Sequence, residues 1–193
     1  GAPLQYAVGR ANFRKLTLDV DERVLIPRPE TEQLVELVLE RCKGGTVADV
    51  GTGSGAIAIA LATEGKFERV IATDISSDAL DVARANAARY ASRTDIEFQQ
   101  ADLLSRSVFR SPFSVVVSNP PYIAFSELSA LPASVRDWEP VMALACPGDG
   151  LETTRRIVRQ AAERLENGGL LALEVEARRA GLVGGVVSAH AGD

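Results

Sequence analysis

Four consecutive residues, Asn119-Pro120-Pro121-Tyr122, carry the most specific chemistry in the chain. They follow the apolar run Val115-Val116-Val117, whose β-branched side chains predict a buried strand, so the corner sits at that strand's carboxyl end. Two successive prolines fix φ and remove two N–H donors, leaving the Pro120 carbonyl and the Asn119 side-chain oxygen as aimed acceptors. A planar NH₂ group has two hydrogens to donate, one for each acceptor. Amide and aryl-amine nitrogens are poor nucleophiles because their lone pair is delocalised. Drawing on both hydrogens returns electron density to nitrogen and stabilises the positive charge that grows there during attack on an electrophilic carbon. Tyr122 offers a flat wall to the planar group. The plainer reading of the same residues is a stiff turn that ends a strand.

A second motif, Asp49-Val50-Gly51-Thr52-Gly53-Ser54-Gly55, lies between a predicted strand at 46–50 and a predicted helix at 54–63. Its glycines permit a tight turn and bring backbone N–H groups against an anionic or adenosine-bearing ligand. Read as Gly-x-Gly-x-x-Ala it also satisfies the dinucleotide fingerprint, so the loop alone does not choose between a nicotinamide cofactor and S-adenosylmethionine. Asp49 leans the choice: it lies close to where a cationic amino group would sit, and it would repel a pyrophosphate. Its other reading is a buried carboxylate satisfied by loop amides. Asp74 ends the next predicted strand, where it can accept from both ribose hydroxyls while Ile75 covers an adenine face. Asp102 and Leu103 follow the third, the acid accepting from the adenine amine and the Leu103 backbone donating. A solvated loop aspartate is the alternative for Asp102. S-adenosylmethionine is the favoured cofactor, with S-adenosylhomocysteine as its product.

The elements that must position these residues follow a β-α alternation. Residues 10–20 alternate apolar and polar and predict one arm of a hairpin, and the prolines at 27 and 29 predict an extended arm over 25–30. Acids early and Arg41 late predict a helix over 30–42. Strands are predicted at 46–50, 69–73, 95–99, 113–118 and 170–175, and helices at 54–63, 77–90 and 151–165, the last stopped by Asn167-Gly168-Gly169. Five parallel strands joined by crossover helices make an α/β fold, a doubly wound, mostly parallel sheet with ligand sites at the strands' carboxyl ends. The expected division is an arm over 1–30 and a sheet domain over 31–193. After Val175 a helix from Arg178 is expected, with no room for closing antiparallel edge strands.

The 193 residues, 46% hydrophobic and 24% charged, suit one main core. Twenty-one Lys and Arg against 26 Asp and Glu give −5, a field that repels phosphate backbones, so nucleic acid is not the expected principal partner. Cys42 and Cys146 have neither disulfide-framework nor zinc spacing and point to a reducing cytoplasm. No metal is expected: the single histidine, His190, reads as a solvated tail residue. The apolar run 56–62 is far shorter than the roughly 20 residues of a membrane span, and the first residues lack the basic start and apolar core expected of a signal sequence.

With the arm Leu25-Ile26-Pro27-Arg28-Pro29-Glu30-Thr31-Glu32 added to both motifs, nearly the whole chain resembles the bacterial release-factor glutamine methyltransferases. The resemblance implies a Rossmann-like class I fold and methyl transfer to the glutamine amide in the Gly-Gly-Gln loop of peptide chain release factors. It implies that Asn119 and the Pro120 carbonyl bind that amide, that Pro121 and Tyr122 shape its slot, and that Asp49, Gly51–Gly55, Asp74, Ile75, Asp102, Leu103 and Asn119 adjoin the cofactor. Phe13, Arg28, Pro29, Glu30 and Thr31 would form a lid, with core packing as the alternative for Phe13 and a surface salt bridge for Arg28 or Glu30. A protein partner follows, with no direct nucleic acid and no membrane. The chain departs from the family in starting just after its usual amino-terminal helical domain and in lacking its closing strands. It also has Glu where glycine is usual in Leu173-Glu174-Val175-Glu176, and Cys146-Pro147-Gly148 at a glycine-rich turn. The competing readings are an adenine-amino methyltransferase that stacks a flipped base on Tyr122, and a cofactor-binding fragment without turnover. A nicotinamide dehydrogenase has no suitably placed His or Lys.

Overall fold

The computed structural model describes residues 1–90, 94–105 and 112–188; His190 lies outside them. A short helix α1 (Leu4–Val8) ends at Gly9 and leads into a hairpin of β1 (Arg10–Phe13) and β2 (Leu16–Asp19). The segment predicted as one arm therefore holds both. Its polar break at Arg14-Lys15 is the turn, and Arg14 takes φ +51°. Arg14 is held from all sides: its N–H donates to Glu32 Oε1 at 2.9 Å, and its guanidinium to Glu64 at 2.9 Å, Glu36 at 2.7 Å and the Glu32 carbonyl at 3.1 Å. These bonds offset the cost of left-handed backbone at a residue with a Cβ. Phe13, Leu16 and Leu18 are buried in the main core, so the hairpin is part of the body and not a detached arm.

Extended backbone carries the chain to α2 (Pro29–Arg41). Pro29 is its first residue, one earlier than expected, because proline's fixed φ suits the first turn and its missing N–H is not needed there. Next come β3 (Thr46–Val50), α3 (Ala56–Glu64), β4 (Arg69–Asp74), α4 (Ser77–Ala87), β5 (Ile96–Gln100) and β6 (Phe113–Ser118). Beyond the Asn-Pro-Pro-Tyr corner lies an insertion: β7 (Ile123–Ala124), a 3₁₀ turn, α5 (Ala133–Arg136), α6 (Val141–Leu144) and β8 (Ala145–Cys146), with β7 and β8 paired in parallel. The chain then runs through α7 (Glu152–Ala162), β9 (Leu165–Leu173) and α8 (Ala180–Ser188). Asn167-Gly168-Gly169 does not cap α7. Pairing with β6 shifts from Phe113↔Leu165 to Val115↔Leu170, so the glycines absorb an irregularity inside β9, with Gly168 at φ +80°.

The five-stranded sheet has the order β5-β4-β3-β6-β9, and every pair is parallel. The order reverses between β3 and β6, which opens a crevice at their carboxyl ends. Strand alternation divides the core: Val47, Val115 and Val117 face α2, α3 and the hairpin, whereas Ala48, Val50 and Val116 face Ile157 and Ala161 of α7. The apolar run over α3 is buried throughout, and no helix among the described residues is long and apolar enough to cross a membrane. Replacing Arg14 by Ala should cost about 1–3 kcal/mol in a urea melt, because it takes the guanidinium from Glu64, Glu36 and the Glu32 carbonyl at once. Lys at the same position should not restore it, since an ammonium cannot reach all four acceptors.

Candidate active site

The two predicted motifs leave the sheet from bonded neighbours. Buried Ser118, the last residue of β6, donates its hydroxyl to the carbonyl of Val50, the last residue of β3, at 2.6 Å. Gly51 and Asn119 are the next residues on either side.

In the glycine loop, the N–H groups of Gly51 and Thr52 both donate to the Thr73 carbonyl, at 2.9 and 2.8 Å, folding the loop onto the end of β4. Asp74 completes the tie by accepting from Gly53 N–H at 2.9 Å and Ser76 N–H at 3.0 Å. Gly51 and Gly53 have φ +74° and +55°, and nothing lies within 4 Å of where a Cβ would stand, so the loop presents bare backbone to open space. Gly55 differs: a Cβ there would approach Ile59 and Ala83, so it is needed for packing as well as for its φ of +83°. Asp49 is wholly buried. Its Oδ2 accepts from the Thr52 hydroxyl at 2.6 Å and Ala58 N–H at 3.1 Å, while Oδ1 has no partner among the described residues. Burial pushes its carboxyl up to about 7. Ser54, also buried, gives its carbonyl to Asn86, which further bonds both backbone groups of Asp19 and so fastens the hairpin to the loop. Asp102 is exposed and paired with Arg156 at 2.5 Å, beside Leu103 at φ +56°, and Ile75 is half exposed at the end of β4.

The Asn-Pro-Pro-Tyr corner is braced from behind. Cys146 Sγ donates to the Pro121 carbonyl at 3.5 Å, and Gly150, at φ +82°, lets its loop pass where a Cβ would stand 2.5 Å from the Tyr122 carbonyl. No described residue donates to the Asn119 Oδ1 or to the carbonyl of buried Pro120. Asn119 Nδ2, by contrast, donates to Thr31 Oγ1 at 3.1 Å, and the Thr31 hydroxyl donates to Glu174 Oε2 at 2.7 Å. Asn119 and Tyr122 line a cavity of about 690 Å³ together with Leu25, Arg28, Leu131 and Arg179. Arg28 is aimed by Glu139, which is itself buried and also accepts from Ile26 N–H at 3.2 Å.

Of the expected lid, only Arg28 borders this cavity. Phe13 is 1% exposed in the core, the packing alternative, because its strand alternation turns it inward. Thr31 is buried at 4% exposure in the first turn of α2, which makes it a link and not a flap. Pro29 and Glu30 are exposed on the same turn, and no partner is recorded for the Glu30 carboxylate among the described residues. Sequence reasoning missed Glu174, Glu139, Ser118 and Asn86 as site-building residues. Glu174 had a usable signal: it follows β9 at the carboxyl edge of the sheet, where Asp74 and Asn119 were sought.

Residues 29–131 match the methyltransferase small domain family. A release factor glutamine methyltransferase of Lactococcus lactis subsp. lactis is 46% identical over 175 residues, covering 90% of this chain and 63% of that protein. The protein of the same name from Gloeobacter violaceus is 46% identical over 182 residues, covering 91% of this chain and 62% of its own length. The chain thus spans under two thirds of the length of these relatives. A methyltransferase structure from Pyrococcus furiosus shares the fold with a TM-score of 0.67 at 18% identity, over 96% of this chain and 82% of that one.

The buried Asp49 makes a testable mark on stability. Its folded carboxyl titrates near 7 and its ordinary value is 3.8, so between about pH 4 and 7 the folded state holds a proton that the unfolded state releases. Stability therefore falls as pH rises through that window and levels off above it. The Asp49→Asn variant should lose this part of the slope in pH-resolved urea melts, retaining what Asp74 and Glu174, also raised by burial, contribute.

Proposed function

Because the chain belongs to the methyltransferase small domain family, we propose that it moves a methyl group from S-adenosylmethionine to the side-chain amide nitrogen of glutamine in the Gly-Gly-Gln loop of peptide chain release factors. The observation that carries this reading is the free Asn119 Oδ1 at the cavity wall, its partner Nδ2 already committed to Thr31. The cofactor supplies an electrophilic sulfonium methyl when bound. The residues suit it: bare backbone at Gly51 and Gly53 faces open space, Asp49 Oδ1 is a buried acceptor without a donor among the described residues, and Asp74 keeps lone pairs after taking two loop amides. Thr52, Ser54, Ile75, Asp102 and Leu103 complete the set that would hold it.

Asn119 Oδ1 and the Pro120 carbonyl take one hydrogen each from the target NH₂, which localises the nitrogen lone pair and stabilises the charge gained in attack. Both acceptors are neutral, so once the nitrogen is methylated and acidic its proton can leave to water or to either oxygen. Tyr122 walls the amide plane.

Protein is preferred over nucleic acid as substrate because the arginines at the cavity are already spent. Arg28 is paired with Glu139, Arg178 with Glu176, and Arg179 with Glu127 and Glu176, so each arginine among the described residues lining the cavity already has a carboxylate partner. Release factors are the partner this reading names, in a reducing cytoplasm that suits free Cys42 and Cys146.

The assay is transfer from labelled donor to purified release factor, with a glutamine-to-alanine release factor as control. Label on the wild-type factor alone is expected; label on adenine in DNA or RNA instead would replace the reading, and donor binding without transfer would leave a cofactor-binding fragment. Asn119→Ala should lower kcat by about a hundredfold or more while donor affinity by calorimetry stays near wild type. Asp74→Ala should weaken donor binding first, by about tenfold or more, through lost ribose contacts.

A further inference from the structure

We propose that Glu174 is a positioning residue that sets the direction of the Asn119 amide through the Thr31 hydroxyl, so that oxygen and not nitrogen meets the incoming NH₂. The proposal rests on the reading of Asn119 as the amide acceptor. Its basis is the polarity of a hydrogen-bond chain. An ionised carboxylate only accepts, so the Thr31 hydroxyl must spend its single hydrogen on Glu174 Oε2, at 2.7 Å. Thr31 Oγ1 is then an acceptor toward Asn119, at 3.1 Å, and the amide must turn Nδ2 to it. With Nδ2 bonded to Thr31 and the Glu174 charge behind it, Oδ1 is left on the other side.

Each member of the chain is held independently. Glu174 N–H donates to the Ser118 carbonyl at 3.0 Å, fixing its backbone beside Asn119 at the joint of β6 and β9. Thr31 is buried on the first turn of α2, where the N–H of its own residue bonds the Arg28 carbonyl at 3.1 Å. Donating to a hydroxyl that is itself bonded to a carboxylate also polarises the amide and strengthens Oδ1 as an acceptor. An uncharged partner at 174 removes the direction. A glutamine there can donate to Thr31, which can then donate to Asn119 Oδ1, and Nδ2 would face the substrate NH₂, donor against donor.

The same logic predicts an acid limb. Burial raises the Glu174 carboxyl, Glu30 raises it further, and the Thr31 and Asn119 hydrogen bonds and Arg28 act downward. Burial, together with the charges of Glu174 and Glu176, holds the Tyr122 hydroxyl protonated, so it carries no charge of its own toward Glu174. Protonating Glu174 gives it a hydrogen to donate and loosens the chain, so transfer should fall as pH drops through its titration.

Two measurements on the full chain test this. The first needs no substrate: in ¹⁵N–¹H spectra the Asn119 side-chain pair should exchange slowly and shift along the Glu174 titration in the wild type, and do neither in Glu174→Gln. The second is transfer to release factor, where Glu174→Gln and Thr31→Val should each lower kcat about tenfold to a hundredfold with donor KM unchanged and a cooperative melting transition retained, Glu174→Gln also losing the acid limb. Asn119 signals insensitive to Glu174, or a Glu174→Gln enzyme with wild-type kcat and acid limb, would overturn the positioning role. A wild-type chain that labels no release factor would defeat the substrate reading alone, and the spectra would still decide whether Glu174 directs the amide.

Discussion

The site depends on one hydrogen bond across the switch point of the sheet, from the Ser118 hydroxyl to the Val50 carbonyl. Parallel strands diverge at this crevice, and without a bond there the loops that follow would have no common reference. With it, the glycine loop and the Asn-Pro-Pro-Tyr corner start from a fixed pair of atoms. Both are then tightened by partners on their outer sides: Thr73 and Asp74 for the glycines, Cys146 and Gly150 for the prolines. Precision at the site comes from the paired strand ends, from which only short loops extend.

Charge around the cavity is arranged by the same economy. Arg28 and Arg179 each hold a position at the wall through glutamates on other elements, and Glu139 is buried so deeply that Arg28 is its necessary counter-ion. Such pairs fix shape more than they add affinity. The cavity offers oriented donors and acceptors in place of a net field, which suits a neutral amide on a peptide loop better than a polyanion.

Much of this was legible in the sequence where the signal is local. The β-branched strands, the glycine loop, Asp74 and the double proline each declare themselves within a few residues, because backbone conformation is set by near neighbours. Asn167-Gly168-Gly169 misled, since a left-handed glycine serves a strand irregularity as readily as a helix end and only the register against β6 separates them. Phe13 misled in another way: its place in a hairpin is local, but the face it turns to the core is decided by α2 and α3. Thr31 and Glu174 stand 143 positions apart, and Asn119 lies 88 from Thr31. No pattern within a window joins them; the sheet order brings them together.

On the proposed reading of Asn119 as the substrate acceptor, that order also explains why the residue there is an amide. A carboxylate would be the stronger acceptor, yet it would stand within hydrogen-bonding reach of Thr31 and beside Glu174, where two acids would have to share a proton. A protonated side chain there would present a donor to the NH₂ it must receive. Asparagine avoids this by accepting on one side and donating on the other, so on that reading the negative charge of Glu174 is set behind the Thr31 hydroxyl and reaches the substrate nitrogen through neutral groups. The charge can then strengthen the acceptor without forming an ion pair that would hold the methylated nitrogen in place.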